Sequence, residues 1–283
     1  MTDEQAAVAR GIAALAEEAR RRYGMPLVRV RVLASGVMGS VGLAPQEEAV
    51  RDLVSGSWPS GRVRLLVLAK RRARVGLGPE ELPLKIWRSP LPTSRGEREL
   101  TTELLPGDPP AALLAVFPDH LLVRAPGEAV GWVDRSSALR FGPPPEVFQS
   151  RNPWDPELVL DSALGHLGRP YVWGGTGAEG LDCSGLVWRS FLEAGVLLPR
   201  NSRAQRRLGC RVRISELQPA DLVAALSRGP ARHSHVALAL GPGEVVHACS
   251  ATKAVRRETL RDFQDRYQVV AVRRLSGVLL DSR

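Results

Sequence analysis

Cys183, His235 and His247 supply, in that order along the chain, a nucleophile, a base and a group that can orient the base. A thiol served by two histidines is the set that acyl transfer through a covalent thioester requires. Cys183 stands in the run Leu181-Asp182-Cys183-Ser184-Gly185. After it, Leu186, Val187, Phe191 and Leu192 fall on one helical face and Gly195 supplies a stop. The spacing predicts a helix from Cys183 to Ala194 with Asp182 as its N-cap. The thiol then sits in the first turn, where unpaired backbone N–H groups and the helix dipole favour a thiolate. A buried core cysteine is the plain alternative. The setting between Asp182 and Ser184-Gly185 argues for the nucleophile instead. Gly174, Gly175 and Gly185 leave room for a substrate backbone to come close.

The two histidines need a common face. His235 to Leu240 reads as a strand, Gly241-Pro242-Gly243 as a break, and Glu244 to Ala248 as the returning strand. A hairpin that pairs His247 with Ala237 puts His247 on the face of His235, one diagonal step away and within reach of an imidazole–imidazole hydrogen bond. His233 is a rival base, two residues before His235 and on the same face of a continuous strand. His233, His235, His247 and Cys249 form HxH and HxC pairs that could hold zinc. No CxxC knuckle accompanies them, and zinc would leave the setting of Cys183 unexplained, so neither metal nor cofactor is expected.

These words, with Tyr171-Val172-Trp173-Gly174-Gly175, Leu198-Pro199-Arg200-Asn201-Ser202 and Gln205, resemble the NlpC/P60 family of cysteine peptidases over about half the chain, from Pro156 onward. The resemblance implies a papain-like α+β catalytic domain. It also implies cleavage of γ-D-glutamyl–diamino acid bonds in peptidoglycan stem peptides or muropeptide fragments. It makes Cys183 the nucleophile, His235 of the "HV" word the base and His247 the third member. Tyr171 is expected beside the oxyanion, Asp182 and Ser184 against substrate, and Arg200 and Ser202 in the loop beneath the site. Asp221-Leu222-Val223 matches the family's "GDLV", with Ala220 where glycine is usual. Upstream, Glu99-Leu100 to Gly107-Asp108 and Gly131-Trp132-Val133 resemble a bacterial SH3-like β-barrel. In recycling members such a barrel roofs the site and reads a free amine, here through Glu99. The aromatic usual before the Gly-Trp-Val word is replaced by Glu128-Ala129-Val130.

The chain of 283 residues is long enough for two or three domains, and an apolar fraction of 44% is that of a globular protein. The expected division is an N-terminal α/β module over 1–83, the SH3-like barrel over 84–140, a proline-rich linker over 141–156 and the catalytic domain over 157–283. In the first module, Gln5 to Arg22 and Pro45 to Val54 read as helices, and Leu27 to Leu33 and Val63 to Ala69 as strands. Gly36-Val37-Met38-Gly39 lies where a phosphate loop would, but no GK[ST] follows. The net charge of +9 is carried almost wholly by arginine, since Lys70, Lys85 and Lys253 are the only lysines. No aromatics interleave the run Lys70 to Arg74, so a nucleic-acid partner is not expected. No apolar run is long enough to span a membrane. Three cysteines make no disulfide framework, and Met1 to Arg22 lacks the features of a secretory signal. The expectation is a cytoplasmic enzyme; an extracellular or periplasmic one would need a longer native reading frame.

Overall fold

The computed structural model describes residues 1–23, 28–41, 44–67, 74–75, 82–117, 119–137, 141–142 and 154–275. It contains three sheets. The first is built from α1 (Asp3–Tyr23), β1 (Val28–Leu33), β2 (Gly36–Val41), α2 (Ala44–Ser57) and β3 (Arg62–Val67). β1 and β2 form an antiparallel hairpin, and α2 carries the chain over to β3, parallel to β2. Val8 and Ile12 of α1 and Val50 and Val54 of α2 bury against Val28, Val37 and Val41 of the sheet. Gly36-Val37-Met38-Gly39 is therefore a strand and not a loop. A Cβ on Gly39 would come 2.0 Å from the Arg29 carbonyl, so this glycine serves close strand approach.

The second sheet holds β4 (Arg74–Val75), β5 (Leu84–Trp87), β6 (Leu100–Leu104), β7 (Ala111–Val116), β8 (His120–Arg124), β9 (Val130–Asp134) and β10 (Phe141–Gly142). Their order is β10-β4-β7-β8-β9-β5-β6. Among the described residues no closed barrel forms over 84–140: the strand order is open, and it takes in the short strands at 74–75 and 141–142. Among the described residues β6 pairs only with β5. Its other side is engaged by the third sheet's domain, through Thr102 and Glu103. Most of the expected linker lies outside the described residues.

The third sheet carries the chemistry. α3 (Pro156–Gly165), α4 (Cys183–Glu193) and α5 (Ser202–Gln205) precede β11 (Cys210–Val212), β12 (Leu222–Ser227), β13 (Ser234–Gly241), β14 (Glu244–Cys249), β15 (Ala254–Thr259), α6 (Leu260–Arg266) and β16 (Tyr267–Arg274). The strand order is β11-β16-β12-β13-β14-β15, antiparallel throughout. This is the expected mixture of helices followed by strands. Period-two alternation divides the sheet between two cores. Val236, Leu238, Val246 and Ala248 face α3 and α4, with Leu186, Val187 and Phe191. Ala237, Ala239 and Val245 face the other way, with Phe263 and Tyr267.

Buried polar contacts fasten the second sheet to the third sheet's domain, the most extensive through two carboxylates. Glu103 Oε1 accepts the backbone N–H groups of Thr176, Gly177 and Ala178 at 3.0, 3.1 and 3.0 Å. Arg189 forks onto Asp108 at 2.6 and 2.9 Å, both side chains being 5% exposed.

Candidate active site

α4 begins where expected. Asp182 is in the extended region at φ −90° and ψ 177°, and its Oδ1 accepts the Gly185 N–H at 2.6 Å, the capping contact that satisfies a helix-start donor. Oδ2 accepts from Gly174 N–H at 2.9 Å. Arg200 forks onto both oxygens at 3.0 and 2.9 Å. It also donates to Ser184 Oγ, the Gly175 carbonyl and Thr102 Oγ1. Asp182 thus holds together the turn before the nucleophile, the helix that bears it and the loop at Arg200. Its carboxylate is spent on scaffold, and so is the Ser184 hydroxyl, which donates to Asp182 Oδ1 at 3.1 Å.

The glycines are also used internally. Gly174 has φ +78°, and a Cβ on it would lie 2.3 Å from the Leu100 carbonyl of β6. On Gly185 a Cβ would lie 2.1 Å from the Gly175 carbonyl. They admit the chain's own backbone.

Cys183 is buried, and the Val236 N–H of β13 is directed at its thiol. Burial, and after it the Asp182 carboxylate, push the thiol up to about 12. The Val236 and Ser184 N–H groups and Arg200 oppose this and lose. The thiolate expected from helix position alone is outweighed by desolvation. Tyr171 packs at the edge of the same core. Its hydroxyl is raised by burial first, then by Cys183 and Asp182.

The histidine pair has the geometry that the hairpin predicts. Leu238 pairs with Val246, and the same register continued by one residue sets His247 beside Ala237. His235 Nε2 and His247 Nδ1 are 2.8 Å apart. Tyr267 lies flat against His235, with centroids 4.1 Å apart and planes 7° from parallel, and Phe263 meets His247 edge-on at 5.2 Å. His235 is 5% exposed and His247 fully buried. Burial, then its neighbour His247, lowers His235 well below the usual histidine range. His247 falls to about 3 through burial, then Arg266 and Arg256. Both rings are neutral at pH 7. Among the described residues no hydrogen bond joins Cys183 to His235, so thiol and imidazole stand as two neutral groups.

The remaining sequence candidates separate. His233 precedes the strand and stands by the exposed Trp173 ring at 6.5 Å. Cys249 is buried, 3.8 Å from the Tyr267 hydroxyl. The zinc set is not assembled, and among the described residues no three His, Cys, Asp or Glu side chains are grouped to hold a metal. Glu99 lies at the Trp173-Gly174 loop, accepting Trp173 Nε1–H at 3.2 Å, and it is also paired with Arg88 at 3.0 Å. Sequence reasoning missed Glu258. This carboxylate is 1% exposed, lies 2.9 Å from His247 Nε2, and is met on its other oxygen by Arg266. The signal available was its place one residue before the strand end at Thr259, on the strand that pairs with β14.

The model of the NlpC/P60 family matches residues 168–274. A probable endopeptidase of Mycobacterium tuberculosis is 39% identical over 102 residues, which is 36% of this chain and 26% of that protein. The γ-D-glutamyl-L-lysine dipeptidyl-peptidase of Bacillus subtilis is 31% identical over 119 residues, 42% of this chain and 40% of that protein. The chain thus spans less than half the length of these two curated relatives. Among solved structures, the peptidoglycan hydrolase RipB of Mycobacterium tuberculosis matches with 32% identity and a TM-score of 0.37, over 44% of this chain and 65% of that one.

Proposed function

We propose, from the premise that residues 168–274 are an NlpC/P60 domain, that the protein is a cysteine peptidase acting on peptidoglycan-derived peptides. The observation that carries this reading is the buried 2.8 Å contact between His235 Nε2 and His247 Nδ1, on the strand whose Val236 N–H faces Cys183. The bond cleaved is the isopeptide between γ-D-glutamate and a diamino acid. The name of the Bacillus subtilis relative supports that choice.

In this mechanism the Cys183 proton passes to His235 as Sγ attacks the carbonyl carbon. The C–S bond forms, the C–N bond breaks, and His235 returns the proton to the leaving amine. Water then attacks the thioester, losing a proton to His235, and the acid product and the thiol are released. His247 accepts from His235 Nε2 and holds the ring. The Cys183 N–H and the Tyr171 hydroxyl are the oxyanion donors. Because the resting thiol and imidazole are both neutral, the proton moves during attack and not before it. Free-amine peptides reach Glu99 only in competition with Arg88.

Cys183→Ala should abolish release of the diamino product from a γ-D-glutamyl–diamino acid peptide. Turnover at the wild-type rate by this variant would sink the mechanism. A second reading, a wall-peptide binding protein, draws on the thiol held up at about 12 and on its missing bond to His235. It predicts that both forms bind the peptide with equal affinity and that neither cleaves it. Cytoplasmic action on short free peptides, in preference to intact wall, is part of the proposal and is tested by comparing the two substrates.

A further inference from the structure

We propose that Glu258 sets the direction of the hydrogen-bonded chain through His247 to His235, and so makes Nδ1 of His235 the nitrogen that can take a proton. The inference deepens the peptidase reading of the same site and rests on it for its catalytic consequence alone.

Two neutral imidazoles joined through His235 Nε2 and His247 Nδ1 share one proton in that contact, and two arrangements satisfy it. In one, His235 donates: Nε2 carries the proton and Nδ1 holds the lone pair. In the other, His247 donates: His235 then carries its proton on Nδ1 and cannot act as a base there. Nothing in the 2.8 Å contact itself chooses between them.

The choice is made at the far end of His247. Its Nε2 lies 2.9 Å from Glu258 Oε1, and both side chains are sealed from solvent, at 0% and 1% exposure. The approach is not aligned for a strong hydrogen bond, yet no other partner meets Nε2 among the described residues. Arg266 and Arg256 lie against Oε2. A carboxylate paired with guanidinium groups accepts protons and offers none. Two lone pairs facing each other in a dry core repel, so His247 must carry its proton on Nε2. Its Nδ1 is then an acceptor, His235 Nε2–H must donate to it, and Nδ1 of His235 is left with the lone pair. The stack of Tyr267 on His235 blocks the ring flip that would escape this order. The cost of burying Glu258 is met by the two arginines, which also work against protonation of His247.

Glu258 touches neither substrate nor thiol. It is a positioning residue, and its signature is a tautomer. The test uses the full chain labelled with 15N at histidine, at neutral pH. Long-range 1H–15N spectra of the wild type should show a protonated Nε2 and a bare Nδ1 on both His235 and His247. In Glu258→Gln, whose amide can turn its donor to Nε2, the rings should shift wholly or partly to the opposite tautomer. In the same variant kcat should fall about 10- to 100-fold, the worth of one charge-assisted hydrogen bond, with KM little changed. Glu258→Asp, if the shorter carboxylate still meets Nε2, should recover the wild-type tautomer. If Glu258→Gln does not fold, the wild-type spectrum alone decides: Nδ1–H on His235 overturns the proposal. Unchanged tautomers in folded Glu258→Gln overturn it as well. The spectra are independent of the Cys183→Ala result, so failure of the peptidase mechanism and failure of this inference are read separately.

Discussion

Replacing Arg200 by leucine removes five buried hydrogen bonds at once, two of them to Asp182. Breaking a buried ion pair from one side costs roughly 3–5 kcal/mol, because the remaining charge is left in a dry environment. Asp182 is not stripped bare, however. Gly185 N–H, Gly174 N–H and the Ser184 hydroxyl still donate to it at 2.6, 2.9 and 3.1 Å. The cost should therefore fall at the low end, about 3 kcal/mol, and lower the unfolding temperature by roughly 6–12 °C for a protein of this size. Urea and thermal unfolding of the full chain measure it. A cycle with Asp182→Asn separates the pair from the rest, since the double variant should lose less than the sum of the two single losses. Arg200→Lys should recover only part of the loss, since one ammonium cannot cover the fork. A loss below about 1 kcal/mol for Arg200→Leu, with losses that add in the double variant, would refute the claim that Arg200 and Asp182 together hold the nucleophile's turn.

Two further outcomes follow from residues already placed. Ala220 stands at φ +64° at the turn into β12, a conformation that costs a side-chain-bearing residue about 1–2 kcal/mol, so Ala220→Gly should raise stability by about 1 kcal/mol in urea unfolding; a lower stability would show that the methyl packs better than the backbone is strained. For His247 the folded value of about 3 lies below the ordinary 6.5, so the unfolded chain takes up a proton first, and stability is lost as pH falls from 6.5 towards 3. At about 1.4 kcal/mol per unit, this one ring accounts for on the order of 5 kcal/mol across the window, and His247→Gln should flatten that part of the stability profile; parallel profiles would contradict the depressed value.

The local parts of this site were legible because their signals are local. The cap Asp182 and the helix it opens lie within a dozen residues, the alternation from His235 to Leu240 within six, and hairpin geometry alone places His247 beside Ala237. The upstream sheet was legible as a set of strands but not as a shape, since its strand order depends on which partners the edges find, and β6 finds the third sheet's domain. Helix position, which favours the thiolate, is visible in sequence, while burial, which pushes the Cys183 thiol up, is not. Glu258 and Arg266 went unread for a related reason. A charged pair near a strand end reads as a solvated surface until the helix that covers it, Leu260–Arg266, is in place. Glu99 was read from its place in a word; Glu103 carried no such mark, and it is the carboxylate that accepts three N–H groups of the loop ahead of the nucleophile.

Glu103 makes the inherited segment and the cooperative unit two different objects. The family match starts at residue 168, well after Glu103, Asp108 and Thr102. A piece of chain cut at that boundary would leave the N–H groups of Thr176 and Ala178 without the acceptor they have here, that of Gly177 with the Gly180 carbonyl alone, and Arg189 with no carboxylate. The turn so exposed leads within a few residues to Cys183. Transplanting the segment alone onto another carrier would therefore move the reactive residues without what keeps them still. In amide exchange, the protons of Thr176, Gly177 and Ala178 should open together with β6 of the upstream sheet, as a single event spanning two stretches of sequence some seventy residues apart.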